Sequence, residues 1–476
     1  MNYSGIKVLV MGLGLHGGGL ATARFLLSRG ASITVTDMRD EKRLKQSIEE
    51  LDAACSKMGA EPVQYILGRH EIADFQKADI VIKNPGVKPN SPFLQYAKCI
   101  KTDISLFLPE SPARLFAVTG TKGKSGTSAA LHWILSQNRK KGRIFLGGNI
   151  TVSPLTFLDE LTENDDVVLE LSSFQLGDIK NYKMQDGSLL LKPAVAVLTT
   201  IMEDHLDRYT SMKEYIDDKR NIYRGQDSSC ITIGGDDEWG RSFRAETKGR
   251  PLVWSRQALG KDTSGGWLNS SGAGFARLLN WEGQPEEIAE LVPLHVLTPG
   301  VHQKLNMLCA ALAAYSSGVK AQTIHEALGT YTGIEHRLEF FHKVKNIRFF
   351  NDSAATIPEA AIACIDALSQ EGHLILVTGG TDKNLDFTSL AKSCKKVKAL
   401  ILLAGTGSDK LKPLLDKEGI PYSGPFNELD EAVRTAVKKA KDGGFVALSP
   451  GCASFGMFLN EFDRGRKWKE AVLRLS

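Results

Sequence analysis

"VTGTKGKSGTSAAL", residues 118–131, runs from an apolar, β-branched stretch through a Gly- and Lys-rich turn into a helix-forming segment. Strand, glycine turn and helix open an α/β unit, with backbone N–H groups at the turn facing an anion. Gly120, Gly123, Lys124 and Ser125 form G-x-x-G-K-S. Turn amides suit phosphate oxygens, the lysine suits the β and γ phosphates, and the serine oxygen suits Mg²⁺. The first gap is shorter than in the common P-loop, whose leading glycine would fall at Val118. A chance Gly-Lys-Ser turn is the competing reading; the position between strand and helix weighs against it.

A second turn of this kind lies a hundred residues earlier. In "MGLGLHGGG", residues 11–19, Gly12, Gly14 and Gly17 give G-x-G-x-x-G after the strand-like "IKVLVMG". Asp37 closes the next strand-like run, at the spacing of a dinucleotide-binding fingerprint. Taken alone the pattern leaves open NAD or FAD, another nucleotide-like ligand, or a purely structural turn.

Outward from these turns, apolar runs alternate with helical stretches along the chain, which argues for parallel sheets covered by helices. The first unit continues through "SITVTD" to "ADIVIKNPGV", with a turn at Pro85 and Gly86. The second holds "ARLFAVTG", "DVVLELSSF" and "PAVAVLTTI". The third holds "IRFFNDS", "HLILVTGG", "VKALILLAGTG" and "GFVALSPGCAS". A Gly-, Ser- and Trp-rich patch, "KDTSGGWLNSSGAGFARLL", reads as short antiparallel strands. With 476 residues and about 150 per domain, three domains are expected. Boundaries at "LPESPAR" and "YTGIEHR" divide the chain into 1–110, 111–332 and 333–476.

The bulk numbers exclude several classes. Lys plus Arg exceed Asp plus Glu by 59 to 55, too small and dispersed an excess for nucleic acid. No apolar run approaches the roughly 18 residues a membrane span needs. The seven cysteines form no CxxC pair and read as reduced thiols of a cytoplasmic protein.

Two acidic features complete the phosphate reading. Glu170 sits in the apolar "DVVLELSSF", where burying an unpaired acid is costly. "TTIMEDHLDRY" packs Glu203, Asp204, His205 and Asp207 together. Alone that cluster reads as a solvated loop; beside a P-loop and Glu170 it reads as a magnesium and phosphate site.

These pieces, in this order, resemble the Mur ligases, ATP-dependent amide-forming enzymes of peptidoglycan precursor synthesis, and most closely their glutamate-adding, MurD-type branch. The resemblance spans the chain: "GTKGKS", "GGNI" (147–150), "LELSSFQL" (169–176), "EDHLDRY" (203–209), "YIDDKRNIY" (215–223), "GVHQKLN" (300–306), "GIEHRLE" (333–339), "NDSAAT" (351–356), "GGTDKNLDF" (379–387) and "LSPGCASF" (448–455). It implies a Rossmann-like N-terminal domain for the UDP substrate, a P-loop NTPase-like central domain for ATP, and a Rossmann-like C-terminal domain for the amino acid. The first glycine turn would then hold a diphosphate without redox chemistry.

The implied reaction adds D-glutamate to UDP-N-acetylmuramoyl-L-alanine through an acyl phosphate, releasing ADP and phosphate. By resemblance, Lys124, Glu170, His205 and Lys219 are catalytic. Gly120, Thr121, Lys122, Gly123, Lys124, Ser125, Gly126, Thr127, Asn306, Arg337 and Asp352 hold ATP. Leu15, His16, Asp37, Arg39, Gly86, Asn149 and Ser172 hold the UDP substrate, and Thr356, Lys383 and Ser454 the amino acid. Two Mg²⁺ ions are implied, with Ser125, Glu170, His205 and Lys219 as ligands; Lys219 matches the lysine that this family carbamylates. From the residues alone Lys219 reads as a surface lysine on an amphipathic helix. The partners implied are small molecules, and the chain is expected to be a monomer.

This sequence departs from the family at several points. Gly126 stands for a usual Thr, whose hydroxyl Thr127 would have to replace, and His16 for a usual Thr. Ala354 stands for a usual Lys, and Gly456 and Glu461 for Asp and Phe. The last three touch amino-acid choice, so the same chemistry with L-glutamate or another amino acid is the first alternative. A nucleotide-linked dehydrogenase would leave Lys124, Glu170 and "EDHLDRY" without work. A non-catalytic P-loop regulator would not need Lys383 and Ser454.

Overall fold

The computed structural model describes residues 2–14, 18–138, 142–150, 152–205, 208–280, 283–370, 372–441 and 443–475. Leu15, His16, Gly17 and Asp207, singled out above, lie outside them.

The first sheet has five parallel strands in the order β3-β2-β1-β4-β5: β1 (Lys7–Met11), β2 (Ser32–Asp37), β3 (Gln64–Leu67), β4 (Ile80–Lys83) and β5 (Ile100–Lys101). Strand order reverses between β1 and β4, the place where doubly wound sheets open a ligand crevice. The Gly12 turn leaves β1 there and the Asn84-Pro85-Gly86 turn leaves β4; Asn84 Nδ2 donates to Gly12 O at 3.4 Å.

The second sheet has nine strands in the order β14-β13-β12-β11-β10-β9-β6-β8-β7. Its strands are β6 (Arg114–Thr119), β7 (Ile144–Gly148), β8 (Asp166–Glu170), β9 (Val195–Leu198), β10 (Ile231–Gly235), β11 (Arg250–Ser255), β12 (Gly265–Leu268), β13 (Gly274–Arg277) and β14 (Ala289–Val292). β6 lies between β8 and β9, parallel to both. Every residue of β8 is buried, as expected of an apolar strand covered on both faces. The Gly/Ser/Trp patch holds an antiparallel hairpin, β12 with β13, although β11 pairs with β12 in parallel.

The third sheet, β15-β16-β20-β17-β18-β19, comprises β15 (Glu339–Val344), β16 (Ile347–Asn351), β17 (Leu374–Thr378), β18 (Ala399–Leu403), β19 (Tyr422–Phe426) and β20 (Gly444–Leu448). Only its edge pair, β15 with β16, is antiparallel. The three α/β modules read from the sequence are all present.

The first two modules share one hydrophobic core, from Val8 and Leu26 to Leu169, Ile216 and Phe243. Ion pairs reinforce it: Arg29 with Asp159 at 2.5 Å, and the buried Lys83 with Asp178 at 2.6 Å. By contact density they form one compact unit (1–270, 274–291 and 306–324), and 271–273, 292–305 and 325–476 form a second. The second unit has its own apolar clusters, one around Phe350 and Phe445 and another around Phe349 and Trp468.

Candidate functional site

At the end of β6 the backbone turns through Gly120 (φ +152°) and Gly123 (φ +93°) before the helix Lys124–Gln137. Neither position admits a side chain. A Cβ on Gly120 would lie 1.9 Å from Thr199 Oγ1, and one on Gly123 would lie 2.5 Å from Asn306 Oδ1. The loop is pinned from outside: the Thr199 hydroxyl lies 2.7 Å from Lys122 O, and the Met202 N–H donates to Thr121 Oγ1 at 3.1 Å. Tyr215 OH lies 2.8 Å from the same oxygen. The helix start thus points its first amides at a fixed turn, which is the geometry of an anion site.

Two lysine side chains converge on one carbonyl. Lys124 Nζ donates to Gly120 O at 3.1 Å and to Thr121 O at 3.0 Å; Lys219 Nζ donates to Gly120 O at 2.8 Å. Lys219 is 1% exposed and lies 4.5 Å from the Tyr215 ring centroid. Burial, and then the neighbouring Lys124 charge, push its amine well below the ordinary lysine range. The surface-lysine reading of position 219 is therefore overturned.

Glu170, at the end of β8 and in register with Val118 of β6, is also 1% exposed. Its Oε1 accepts from Asn149 Nδ2 at 2.9 Å; its Oε2 is buried with no hydrogen-bond partner among the described residues. A buried carboxylate oxygen without a donor is rare, and a cation satisfies it. His205 adopts φ +56°, is half-exposed, and packs its ring 4.8 Å from that of Phe174. Its Nε2 lies 3.9 Å from Asp204 Oδ2, the carboxylate oxygen that Lys122 also approaches at 3.9 Å. Ser125 is half-buried in the first turn of the P-loop helix.

Gly126 now has a steric reason. A Cβ there would lie 2.5 Å from Asn306 Nδ2, so the Asn306 amide lies across the helix start where a threonine would stand. Thr127 does not supply the missing hydroxyl: it is fully buried, with its Oγ1 unpartnered among the described residues.

At the switch point of the first sheet lies a cavity of about 970 Å³. Its wall takes Gly12, Gly14, Asp37, Arg39 and Gly86 from the first module and Asn149 and Gln175 from the second. Asp37 Oδ2 accepts from the Gly14 N–H at 3.2 Å and Oδ1 from the Arg39 N–H at 2.9 Å, so this acid braces the turn. Ser172 is not in the wall; it caps the helix Ser173–Ile179 by accepting from the Gln175 N–H. Lys83 and Asp103, in the wall, were not read from the sequence. Burial pushes Lys83 down and pushes Asp103 up to about 6. A lysine closing an apolar strand, as in "IVIK", was the available signal for the first. Arg208 was also missed: it donates to Pro85 O and Val87 O, both at 3.1 Å, and lies 3.5 Å from the Phe174 ring centroid.

In the second unit, exposed Arg337 is flanked by His336 (φ +64°) and Leu338 (φ +48°), backbone held in the left-handed region. Asp352 accepts from the Leu338 N–H at 2.9 Å and the Ser449 hydroxyl at 2.6 Å, and burial pushes its carboxyl up to about 7. Ser454 is buried, Thr356 half-buried and Lys383 exposed. Beneath the loops at 353 and 452, buried Arg464 donates to Ser353 O and Oγ and to Cys452 O. Gly456 has φ +100°, which strains any Asp placed there. Glu461 opens the helix Glu461–Leu473, where a carboxylate suits the helix dipole. Phe462 turns its ring to His336, at 5.6 Å. The cluster Glu335, His336 and Glu339 has metal-ligand chemistry, but Lys469 pairs with both of its carboxylates, at 3.2 and 2.7 Å.

Three family descriptions match the chain in order: "Mur ligase MurD-like, N-terminal domain" at residues 6–105, "Mur ligase middle domain" at 118–314 and "Mur ligase, glutamate ligase domain" at 336–452. The chain is 37% identical to the UDP-N-acetylmuramoylalanine–D-glutamate ligase of Treponema pallidum, an alignment covering 98% of this chain and 97% of that protein. It is likewise 37% identical to the protein of the same name from Roseiflexus sp., covering 99% of each. Among solved structures it is similar to the UDP-N-acetylmuramate–alanine ligase of Thermotoga maritima, with a TM-score of 0.57 at 20% identity over 99% of this chain and 100% of that one. That likeness speaks for the fold.

Proposed function

The chain belongs to the Mur ligase family, and on that footing we propose how its residues share the work of an ATP-dependent ligase that joins D-glutamate to UDP-N-acetylmuramoyl-L-alanine in peptidoglycan precursor synthesis. The 970 Å³ cavity takes the uridine diphosphate part, its glycine turn braced by Asp37. It extends to Asn149, which hydrogen-bonds Glu170, so the far end of the substrate is directed toward the P-loop module.

The turn amides and Lys124 hold the ATP phosphates. The substrate's alanine carboxylate attacks the γ-phosphorus, its bond to the β–γ bridging oxygen breaks, and ADP leaves an acyl phosphate. The deprotonated glutamate amine then adds to the acyl carbon, and the tetrahedral adduct expels phosphate to give the amide. Lys124 neutralises charge that builds up during phosphoryl transfer. Ser125, Glu170, His205 and a carbamylated Lys219 would hold Mg²⁺, which when bound supplies further charge neutralisation. The observation that carries this assignment is the bare, buried Oε2 of Glu170 on the strand next to the P-loop strand. A buried lysine with a depressed pKa suits carbamylation, because only the neutral amine attacks CO₂.

In the second unit, Arg337, Asp352, Thr356, Lys383 and Ser454 would serve ATP and the amino acid. The departures at 456 and 461 have local conformational reasons, a left-handed glycine and a helix start, and neither requires a different amino acid. Among the described residues no helix is long and apolar enough to cross a membrane; a cytoplasmic monomer is part of this proposal. The test is phosphate release from Mg²⁺-ATP with UDP-N-acetylmuramoyl-L-alanine and D-glutamate, L-glutamate or no amino acid. Phosphate with a new UDP-linked product only with D-glutamate is expected. Product with L-glutamate alone would overturn the amino-acid assignment and point to Ala354, Gly456 and Glu461.

A further inference from the structure

One wall of the cavity holds an imidazole with no part in the assignments above. His70 follows β3 in "GRHE" and lines the cavity near Asp37. Two aromatic rings fix its plane: Phe75 and Phe93 meet it edge-on, with centroids at 6.0 and 5.1 Å. Its Nδ1 lies 2.7 Å from Thr36 Oγ1, and that oxygen lies 3.1 Å from Arg69 O. Thr36 is fully buried and its hydroxyl has one proton. A carbonyl can only accept, so both contacts are satisfied together when the hydroxyl donates to Arg69 O and accepts from His70 Nδ1–H. That arrangement fixes the tautomer and leaves a lone pair on Nε2. Nε2 has no hydrogen-bond partner among the described residues.

Burial holds the ring below the ordinary histidine range, against the pull of Asp37, so the lone pair persists at neutral pH. The carboxylate that a dinucleotide fingerprint normally offers to the ligand is engaged here, one oxygen on Gly14 N–H and the other on Arg39 N–H. The wall therefore has a fixed, uncharged acceptor beside an acid already bonded to its own chain.

We propose that His70 is a substrate-specificity residue, its Nε2 accepting a hydrogen bond from an N–H or O–H donor of the uridine moiety. This rests on the reading of the cavity as the uridine diphosphate site. Two substitutions separate the ring's two contacts. His70→Asn keeps an N–H near the Nδ1 position for Thr36 and loses the acceptor at Nε2; His70→Gln keeps an acceptor near Nε2 and loses the contact to Thr36.

The experiment is calorimetric binding of UDP to the full-length protein and both variants, alongside the KM for UDP-N-acetylmuramoyl-L-alanine and for ATP. His70→Asn should weaken UDP binding about three- to tenfold, with the substrate KM following and the ATP KM unchanged. His70→Gln should bind UDP within about twofold of wild type. N3-methyl-UDP, 2′-deoxy-UDP and 3′-deoxy-UDP identify the donor: the analogue that loses affinity on wild type and loses none further on His70→Asn lacks it. Unchanged UDP binding in His70→Asn, or an equal or larger loss in His70→Gln, overturns the inference and makes His70 a brace for Thr36. An analogue series in which no loss disappears in His70→Asn does the same. If wild type fails to bind UDP, the reading of the cavity falls, and the inference with it.

Discussion

Glu170→Gln should move stability and activity in opposite directions. In the protein without metal, Glu170 is 1% exposed and one of its oxygens has no donor among the described residues. Removing the charge while keeping the shape lets the amide oxygen continue to accept from Asn149, now at 2.9 Å, and replaces an unsatisfied anionic oxygen with an unsatisfied but uncharged NH2 group, which costs less to bury. That relief amounts to about 1–3 kcal/mol. At about 2–4 °C per kcal/mol for a domain of this size, the midpoint in EDTA should rise by roughly 2–12 °C. The same change takes an anionic oxygen from the cation site, and phosphate release at saturating Mg²⁺-ATP should fall about 100-fold or more. Scanning calorimetry in EDTA and a coupled phosphate assay read the two effects on one preparation. Adding Mg²⁺ and ATP should raise the wild-type midpoint more than that of the variant. A variant that melts lower in EDTA, or that turns over like wild type, refutes the assignment of the bare oxygen to a cation.

Three further outcomes are expected. Lys219→Ala should lose most activity and regain part of it with added short-chain carboxylates, measured as phosphate release; wild-type rates in the variant would remove the carbamate role. Burial raises Asp352 to about 7, so the native state holds its proton more tightly than the unfolded chain, whose value is about 3.9. Its stabilising contribution is full below that lower value and is lost as pH rises through about 7. The midpoint of Asp352→Asn relative to wild type should therefore shift in the variant's favour from about pH 5 to 8, and a constant difference would contradict this. Gly126→Thr must displace the Asn306 amide, 2.5 Å from the new Cβ, and should raise the ATP KM about three- to tenfold while leaving the glutamate KM unchanged. An unaltered ATP KM would dissociate Asn306 from nucleotide binding.

Glycine turns were the most legible part of the site. A backbone at φ +93° or +152° against a neighbouring side chain leaves glycine alone, so Gly120 and Gly123 carry their geometry in their identity. The alternation of apolar runs likewise fixed three parallel-dominated modules, because strands covered on both faces have no polar face to show. Lys219 is the opposite case. On its own helix it reads as part of a charged face, "EYIDDKR", and only the packing of that helix against the P-loop buries it. Lys83, Arg208 and His70 were missed for a related reason. Each acts through a partner far along the chain, Asp178, Pro85 and Thr36 respectively, and no local pattern encodes such pairs. The steric meaning of Gly126 also waited on Asn306, 180 residues away.

Lys83 reaching Asp178, Arg29 reaching Asp159 and Arg208 gripping the carbonyls at 85 and 87 have a consequence for recombination. The family's first two domains are separate as stretches of sequence, yet here they are sewn together by charges and by a continuous core. A graft that exchanged residues 1–105 alone for those of a sister ligase would strand the Asp178 and Asp159 carboxylates without Lys83 and Arg29. Inheritance and engineering should both treat these two domains as one cassette, with exchange at the seam between them punished.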